Sequence, residues 1–278
     1  MKLFELKKQV LEKLNIEFNK EYEVNLILQD VARLSLNDIH FNRKIDLDDI
    51  TVNRVFEFID RRNVGEPYNY ILNYKEFFNR IFYIDNRVLI PRPETEILVE
   101  ECIKRNKNKK IKRYLDLCTG SGCIGITLSK ELDISDTILS DISKEALQVC
   151  DINCKKYNVN ANIIESDLFD NIDGKFDLIT INPPYVPLLR KDNIDETVVK
   201  FEPNIALFSG DDGMDIISKI IGKLDRFMSD ESSVYIEFDE THAELIKKLI
   251  DDGKFNYKIF KDYSDMDRFI IIERRKNC

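Results

Sequence analysis

From Lys112 onward the chain alternates short apolar runs with longer amphipathic stretches, and no other feature restricts its possible folds so strongly. Strands are predicted over residues 114–117, 137–140, 161–164, Phe176–Ile181, 234–238, 257–260 and 269–273, and helices over 124–132, 143–157, 213–228 and 240–249. The Phe176–Ile181 run has the continuous apolar character of a strand buried on both faces. Successive βα units close through right-handed crossovers. The expected fold is therefore α/β, a doubly wound, mostly parallel seven-stranded sheet with its ligands beyond the carboxyl ends of the strands.

The preceding residues follow a helical period. Leu3, Leu6, Val10 and Leu14 form one stripe, Val24, Ile27, Leu28 and Val31 a second, and Ile50, Val52, Val55, Phe56 and Ile59 a third. Polar connectors, Asn37-Asp38 and Asn42-Arg43-Lys44, separate them, which predicts a small helical bundle with no catalytic group. A boundary is expected at Asn63-Val64-Gly65-Glu66-Pro67. Residues 74–90, aromatic and β-branched with polar breaks at Asn79-Arg80 and Asp85-Asn86, predict a hairpin. Pro91-Arg92-Pro93-Glu94-Thr95-Glu96 then opens a helix, with Pro93 and two carboxylates in its first turn.

Composition narrows the function. The 278 residues are 43% hydrophobic with a formal charge of −9, which suits a globular chain and gives no reason to expect tight nucleic-acid binding. One basic run, residues 106–113, holds five Lys/Arg and is expected to be a solvated loop. Six cysteines without C-x-x-C spacing and two histidines argue against a metal site. Neither an apolar leader nor an apolar run of membrane-spanning length occurs, so a cytoplasmic, thiol-reduced setting away from membranes is expected.

Two loops carry the candidate chemistry. Asp116-Leu117-Cys118-Thr119-Gly120-Ser121-Gly122 passes from the first βα strand into its helix, where glycine permits close backbone approach to a ligand. Asp141 stands 19 residues beyond Gly122 at the end of the next strand, placed to accept from both hydroxyls of a ribose. With the third glycine displaced to Gly125, the loop does not match a pyrophosphate cradle, and the pair points to an adenosine-containing cofactor. The second loop, Asn182-Pro183-Pro184-Tyr185, ends the strand Phe176–Ile181. Two prolines stiffen it. The Asn182 amide and Pro183 carbonyl offer two acceptors, and Tyr185 a flat face, which together suit a planar –NH2 group.

These two loops, with the acid after the second strand, resemble those of S-adenosylmethionine-dependent methyltransferases that modify –NH2 nitrogens. Further stretches narrow the resemblance to the protein-(glutamine-N5) methyltransferases of peptide-chain release factors, the HemK/PrmC family. They are Pro67-Tyr68-Asn69-Tyr70-Ile71, Leu89-Ile90 with the Pro91–Glu96 segment, Ser166-Asp167-Leu168-Phe169, Glu202-Pro203, Gly210-Asp211-Asp212-Gly213 and Asp267-Arg268. The family usually has Gly at Cys118, Gln at Asn69 and Glu-Ile-Gly at Glu237-Phe238-Asp239.

The resemblance implies a Rossmann-like class I methyltransferase domain over residues 93–278, a linker and hairpin over 66–92, and a substrate-docking bundle over 1–65. It implies S-adenosyl-L-methionine as cofactor and the glutamine of a Gly-Gly-Gln loop in a release factor as substrate. Cys118, Thr119, Gly120, Ser121 and Gly122 would cradle the methionine part, Asp141 the ribose, and Asp167 and Leu168 the adenine, with Asn182 beside the methyl. Asn182, Pro183, Pro184 and Tyr185 would bind the amide, and Asn182, Pro183 and Tyr185 would act in catalysis. A monomer with neither metal nor stable nucleic-acid partner is expected. Asn-Pro-Pro-Tyr also occurs in adenine-N6 methyltransferases of nucleic acids, so that activity is the alternative, with a non-catalytic S-adenosylmethionine-binding module as the third reading. The absence of a net basic surface disfavours the former and the intact turn the latter.

Overall fold

The computed structural model describes residues 1–41, 44–250 and 253–275. Asn42 and Arg43 of the second polar connector, and Cys278, lie outside the described residues. The chain divides into two compact units, Met1–Asn73 and Tyr74–Cys278.

The first unit is helical, with α1 at Leu3–Lys13, α2 at Lys20–Asp30, α3 at Leu36–Phe41, α4 at Asp49–Asn63 and α5 at Tyr68–Leu72. The predicted stripes meet in one core of Leu3, Leu6, Val10, Val24, Ile27, Val55 and Ile59 among others. Each such side chain contributes roughly 1.5–3 kcal/mol on burial. Ile50, assigned to the third stripe, is instead 66% exposed in the first turn of α4. The predicted connector at Asn37-Asp38 is part of helix α3. Its start is a capping box: Ser35 Oγ accepts from Asp38 N at 3.1 Å while Asp38 Oδ2 accepts from Ser35 N at 3.1 Å. The unit also extends past the predicted boundary. Pro67 caps α5, and Tyr68, Ile71 and Leu72 pack on the helical core, so the division falls at Asn73.

The second unit opens with a hairpin, β1 (Tyr74–Phe77) and β2 (Arg80–Tyr83), paired Tyr74↔Tyr83 through Phe77↔Arg80. Phe78 and Asn79 both take positive φ, 49° and 55°, the geometry of a two-residue hairpin turn whose twist matches its strands. Then come α6 (Pro93–Asn106), β3 (Arg113–Leu117), α7 (Cys123–Glu131), β4 (Asp136–Asp141), α8 (Lys144–Tyr157), β5 (Ala161–Glu165) and β6 (Phe176–Ile181). After β6 lie a 3-10 turn at Leu188–Asn193, α9 (Glu196–Phe201), α10 (Asn204–Leu207), α11 (Asp215–Phe227), β7 (Met228–Glu237), a 3-10 turn at Glu240–His242, α12 (Ala243–Ile250), β8 (Phe255–Lys261) and β9 (Asp267–Arg274).

Seven strands form one sheet in the order β5-β4-β3-β6-β7-β9-β8, parallel except where β9 runs against β7 and β8. The doubly wound, mostly parallel prediction holds. Neighbouring residues on a strand face opposite layers. Tyr114, Leu139, Leu178, Tyr235 and Ile271 join one cluster with Leu98, Ile126 and Cys150 from α6, α7 and α8. Leu115, Ile138, Ile179, Val234 and Ile270 join the other with Ile217, Leu224 and Ile246 from α11 and α12. Such two-sided burial accounts for the near-continuous apolar runs. β7 begins six residues before its predicted start, because the polar stretch Ser229-Asp230-Glu231-Ser232-Ser233 still belongs to the strand. In the basic run Lys107, Lys109, Lys110 and Lys112 are exposed, ahead of β3 and thus at the amino ends of the strands.

Candidate active site

The sheet order reverses between β3 and β6, which makes their carboxyl ends a natural crevice. Leu117 and Ile181, the last residues of these strands, are register partners. The segments that follow them therefore leave the sheet side by side, about 4.8 Å apart at their origin. One carries the glycine loop and the other the Asn182 turn.

The loop turns sharply through Cys118, Gly120 and Gly122, with φ of 59°, 52° and 80°. Cys118 takes the left-handed conformation despite its side chain, a strain of roughly 1–2 kcal/mol that a glycine would not bear. A Cβ added at Gly120 would meet nothing within 4 Å, so this residue presents open backbone. At Gly122 it would lie 2.9 Å from both Cys150 Sγ and Ile126 Cδ1. Gly122 thus serves packing as the N-cap of α7 and does not line the cleft, unlike Cys118, Thr119, Gly120 and Ser121.

Asp116, fully buried, organises the loop from below. Its Oδ2 accepts from Thr119 Oγ1 at 2.6 Å and Gly125 N at 3.1 Å, and its Oδ1 from Thr180 Oγ1 at 2.6 Å. Burial pushes its carboxyl up to about 6 against those donors. Behind the loop, Asn153 Nδ2 donates to both Ser121 O and Tyr83 O, and Asn153 Oδ1 accepts from Tyr83 N, which ties the hairpin to the loop.

Asp141, the last residue of β4, receives Gly120 N on Oδ2 and Ser143 N on Oδ1, each at 2.9 Å. Burial raises its carboxyl above the usual range, opposed by those backbone N–H groups. A carboxylate has about four lone-pair sites, so two further donors from the cleft are accommodated. Asp167 and Leu168 follow β5 on the same rim. The cleft, about 190 Å³, is lined by Cys118–Ser121, Asp141, Asp167, Leu168, Asn182 and Pro184, with Leu89 and Pro91 ahead of α6 and Ile205 from α10.

Asn182 and Pro184 line this cleft, whereas Pro183 is buried and Tyr185, expected to offer a flat face there, lies off the lining. The Tyr185 ring packs against the core, and its hydroxyl donates to Glu237 Oε1 at 2.9 Å. Thr95 Oγ1 donates to Glu237 Oε2 at 2.7 Å and accepts from Asn182 Nδ2 at 3.4 Å. Burial raises both the Glu237 carboxyl and the Tyr185 phenol. The turn is braced from outside: Val186 N donates to Leu207 O at 2.8 Å and Ser209 N to Val186 O at 3.1 Å. Gly213 packs so closely that a Cβ there would lie 2.2 Å from Tyr185 O. Nearby, Arg92 and Ile90 N both bind the buried Glu202 carboxylate, at 2.6 and 3.1 Å.

The supporting set of Thr95, Glu237, Asn153 and Glu202 was given no role from the sequence. A carboxylate ending an apolar strand is the one sign that could have singled out Glu237.

A parallel crevice, a glycine loop, a ribose-placed acid and a polar turn together define a class I S-adenosylmethionine-dependent methyltransferase. The model of the Methyltransferase small domain family matches residues 93–202. The fold also aligns with the crystal structure of ribosomal protein L11 methylase from Lactobacillus delbrueckii subsp. bulgaricus, with a TM-score of 0.54 at 19% identity over 73% of this chain and 91% of that one. Among curated proteins, release factor glutamine methyltransferase from Leptospira interrogans serogroup Icterohaemorrhagiae serovar Lai is 37% identical over 93% of this chain and 95% of its own. The protein of that name from Lactococcus lactis subsp. lactis is 31% identical over 94% and 97%. The chain belongs to the release factor glutamine methyltransferase family.

The residues present fit S-adenosylmethionine. Open backbone at Gly120 admits a ligand against the loop, and the spare lone pairs of Asp141 suit a ribose diol. No group of His, Cys, Asp and Glu placed to hold a metal occurs among the described residues.

Proposed function

We propose that this protein methylates the side-chain amide nitrogen of a glutamine in a peptide-chain release factor, the glutamine of its Gly-Gly-Gln loop. The observation that carries the reading is the register pair Leu117↔Ile181, which starts the cofactor loop and the Asn182 turn from adjacent points in one cleft. The names of the relatives support the choice of substrate.

S-adenosylmethionine, when bound, supplies an electrophilic methyl on its sulfonium. Cys118, Thr119, Gly120 and Ser121 would hold its methionine part by backbone contacts, with Gly122 shaping the turn behind them. Asp141 would take the ribose hydroxyls, and Asp167 and Leu168 would flank the adenine. Asn182 Oδ1 and the Pro183 carbonyl accept the two amide hydrogens, with Pro184 lining the cleft beside them and Tyr185, bonded to Glu237, bracing the turn from behind. An amide nitrogen is a weak nucleophile because its lone pair is delocalised. Two fixed acceptors turn that lone pair toward the methyl, and holding the partners in line contributes on the order of 7–11 kcal/mol. The same acceptors stabilise positive charge developing on nitrogen. The proton leaves after transfer, so no strong base is needed.

The helical unit supplies docking surface, because a lone glutamine side chain falls far short of the roughly 1,000 Å² that specific protein recognition requires. The protein acts as a cytoplasmic monomer without a stable nucleic-acid partner. Incubation with methyl-labelled S-adenosylmethionine and either intact release factor or DNA tests the reading. Label on the release-factor glutamine, located by peptide mass spectrometry, is expected. Label on DNA alone would overturn it.

A further inference from the structure

Asparagine has two faces of opposite polarity, and only one of them serves the proposed reaction. If Asn182 presents Oδ1 to the cleft it accepts an amide hydrogen, and if it presents Nδ2 it repels the substrate –NH2. Shape alone does not decide between the two, because the oxygen and the amide nitrogen differ little in size. The decision falls to the neighbours.

Glu237 and Thr95 are 1% and 2% exposed, so water does not supply alternative partners. The Glu237 carboxylate receives two hydroxyls, Tyr185 on Oε1 and Thr95 on Oε2. An ionised carboxylate only accepts, which commits the single Thr95 proton to Oε2. Thr95 Oγ1 then has only lone pairs left for Asn182, and Nδ2 must face it. That leaves Oδ1 toward the cleft. Burial, the largest influence, and Glu94 raise the carboxyl, while the hydrogen bonds from Thr95 and Tyr185 and the charge of Arg268 on β9 favour the ionised form. We infer that Glu237, acting through Thr95, sets the polarity of Asn182 and is a positioning residue for the methyl transfer. This inference rests on the proposed role of Asn182 as amide acceptor.

Glu237→Gln offers an amide that donates to Thr95, which frees the hydroxyl proton for Asn182 Oδ1 and turns its NH2 toward the cleft. Thr95→Val removes the relay outright, and Thr95→Ser keeps it. In calorimetry and steady-state assays, both Glu237→Gln and Thr95→Val should lower kcat at least roughly tenfold, toward the roughly hundred- to thousandfold loss when one catalytic hydrogen-bonding group is removed. Cofactor dissociation constants should stay within about twofold, well under one decade of affinity. Thr95→Ser should retain most activity.

A second readout needs no substrate. The Asn182 side-chain NH2 should show a nuclear Overhauser effect to the Thr95 methyl in the unmutated protein and lose it in Glu237→Gln. A serine variant as slow as the valine variant would show that the methyl packing matters rather than the hydroxyl, and would overturn the inference. So would a valine variant of normal kcat, or an unchanged Overhauser effect in Glu237→Gln. An unmutated enzyme inactive on release factor would sink the proposed function instead, while the Overhauser test of the relay would still stand.

Discussion

In the proposed function Asn182 serves the amide and Asp141 the cofactor, so their loss should separate two measurements. Asn182→Ala is expected to abolish turnover while calorimetric binding of S-adenosylmethionine persists. Asp141→Ala should weaken that binding at least roughly tenfold, since charge-assisted hydrogen bonds contribute about 1.5–3 kcal/mol each. Asp116 makes a separate prediction. Its folded-state value of about 6 lies above the ordinary 3.8 because burial opposes ionisation. The penalty is therefore absent below the unfolded value and fully present above the folded one. From near pH 4 to near pH 7, the native protein should lose on the order of 3 kcal/mol relative to Asp116→Asn, which has no carboxyl to ionise. Urea titrations of both proteins at the two pH values measure the difference. Asp141 and Asn182 were legible in the sequence because each sits one step past a predictable strand. The Thr95–Glu237 bond was not, since it joins residues 142 positions apart.

At the scale of elements, two glycines of positive φ should respond differently to alanine. Gly120→Ala projects into open space, so the protein should fold with a backbone strain of about 1–2 kcal/mol but bind S-adenosylmethionine poorly. Gly213→Ala meets Tyr185 O and the His242 ring, and should lower the melting temperature and displace the Asn182 turn. Thermal melts beside calorimetry distinguish the two. The long elements were legible because their burial imposes a period. The capping box that starts α3, Ser35 with Asp38, was visible but lay in a stretch too polar to read as helix. α9 and α10 span six and four residues, too few to establish any period, although Asp195 caps the first by accepting from Thr197 N at 2.8 Å. The hairpin turn at Phe78-Asn79 contains no glycine; Asn79 marked the break and tolerates positive φ, but nothing in the sequence marked the positive φ of Phe78.

For the whole molecule, each unit has its own core, and the cleft belongs wholly to the second. A chain beginning at Tyr74 is expected to bind S-adenosylmethionine normally. On intact release factor it should show a raised KM with kcat little changed, because docking that holds ground and transition states equally acts on KM. Equal kcat/KM for the truncated and full-length proteins would leave the helices a purely structural role. The two-part organisation was legible in the change of period between the helical stripes and the βα region. The exact seam was not, because Pro67 suggested an end to the helical unit where it instead begins α5.

Cys118 puts a sulfur atom on the wall of the cleft. Burial, reinforced by the charges of Asp141, Asp116 and Asp167, holds that thiol protonated well above its ordinary range. A protonated thiol reacts slowly with alkylating reagents. At neutral pH iodoacetamide should therefore modify Cys118 only sluggishly, and more slowly still when S-adenosylmethionine covers it, as mass spectrometry of the peptide would record. The chain thus contains its own chemical reporter of cleft occupancy, one that a glycine at this position would not provide.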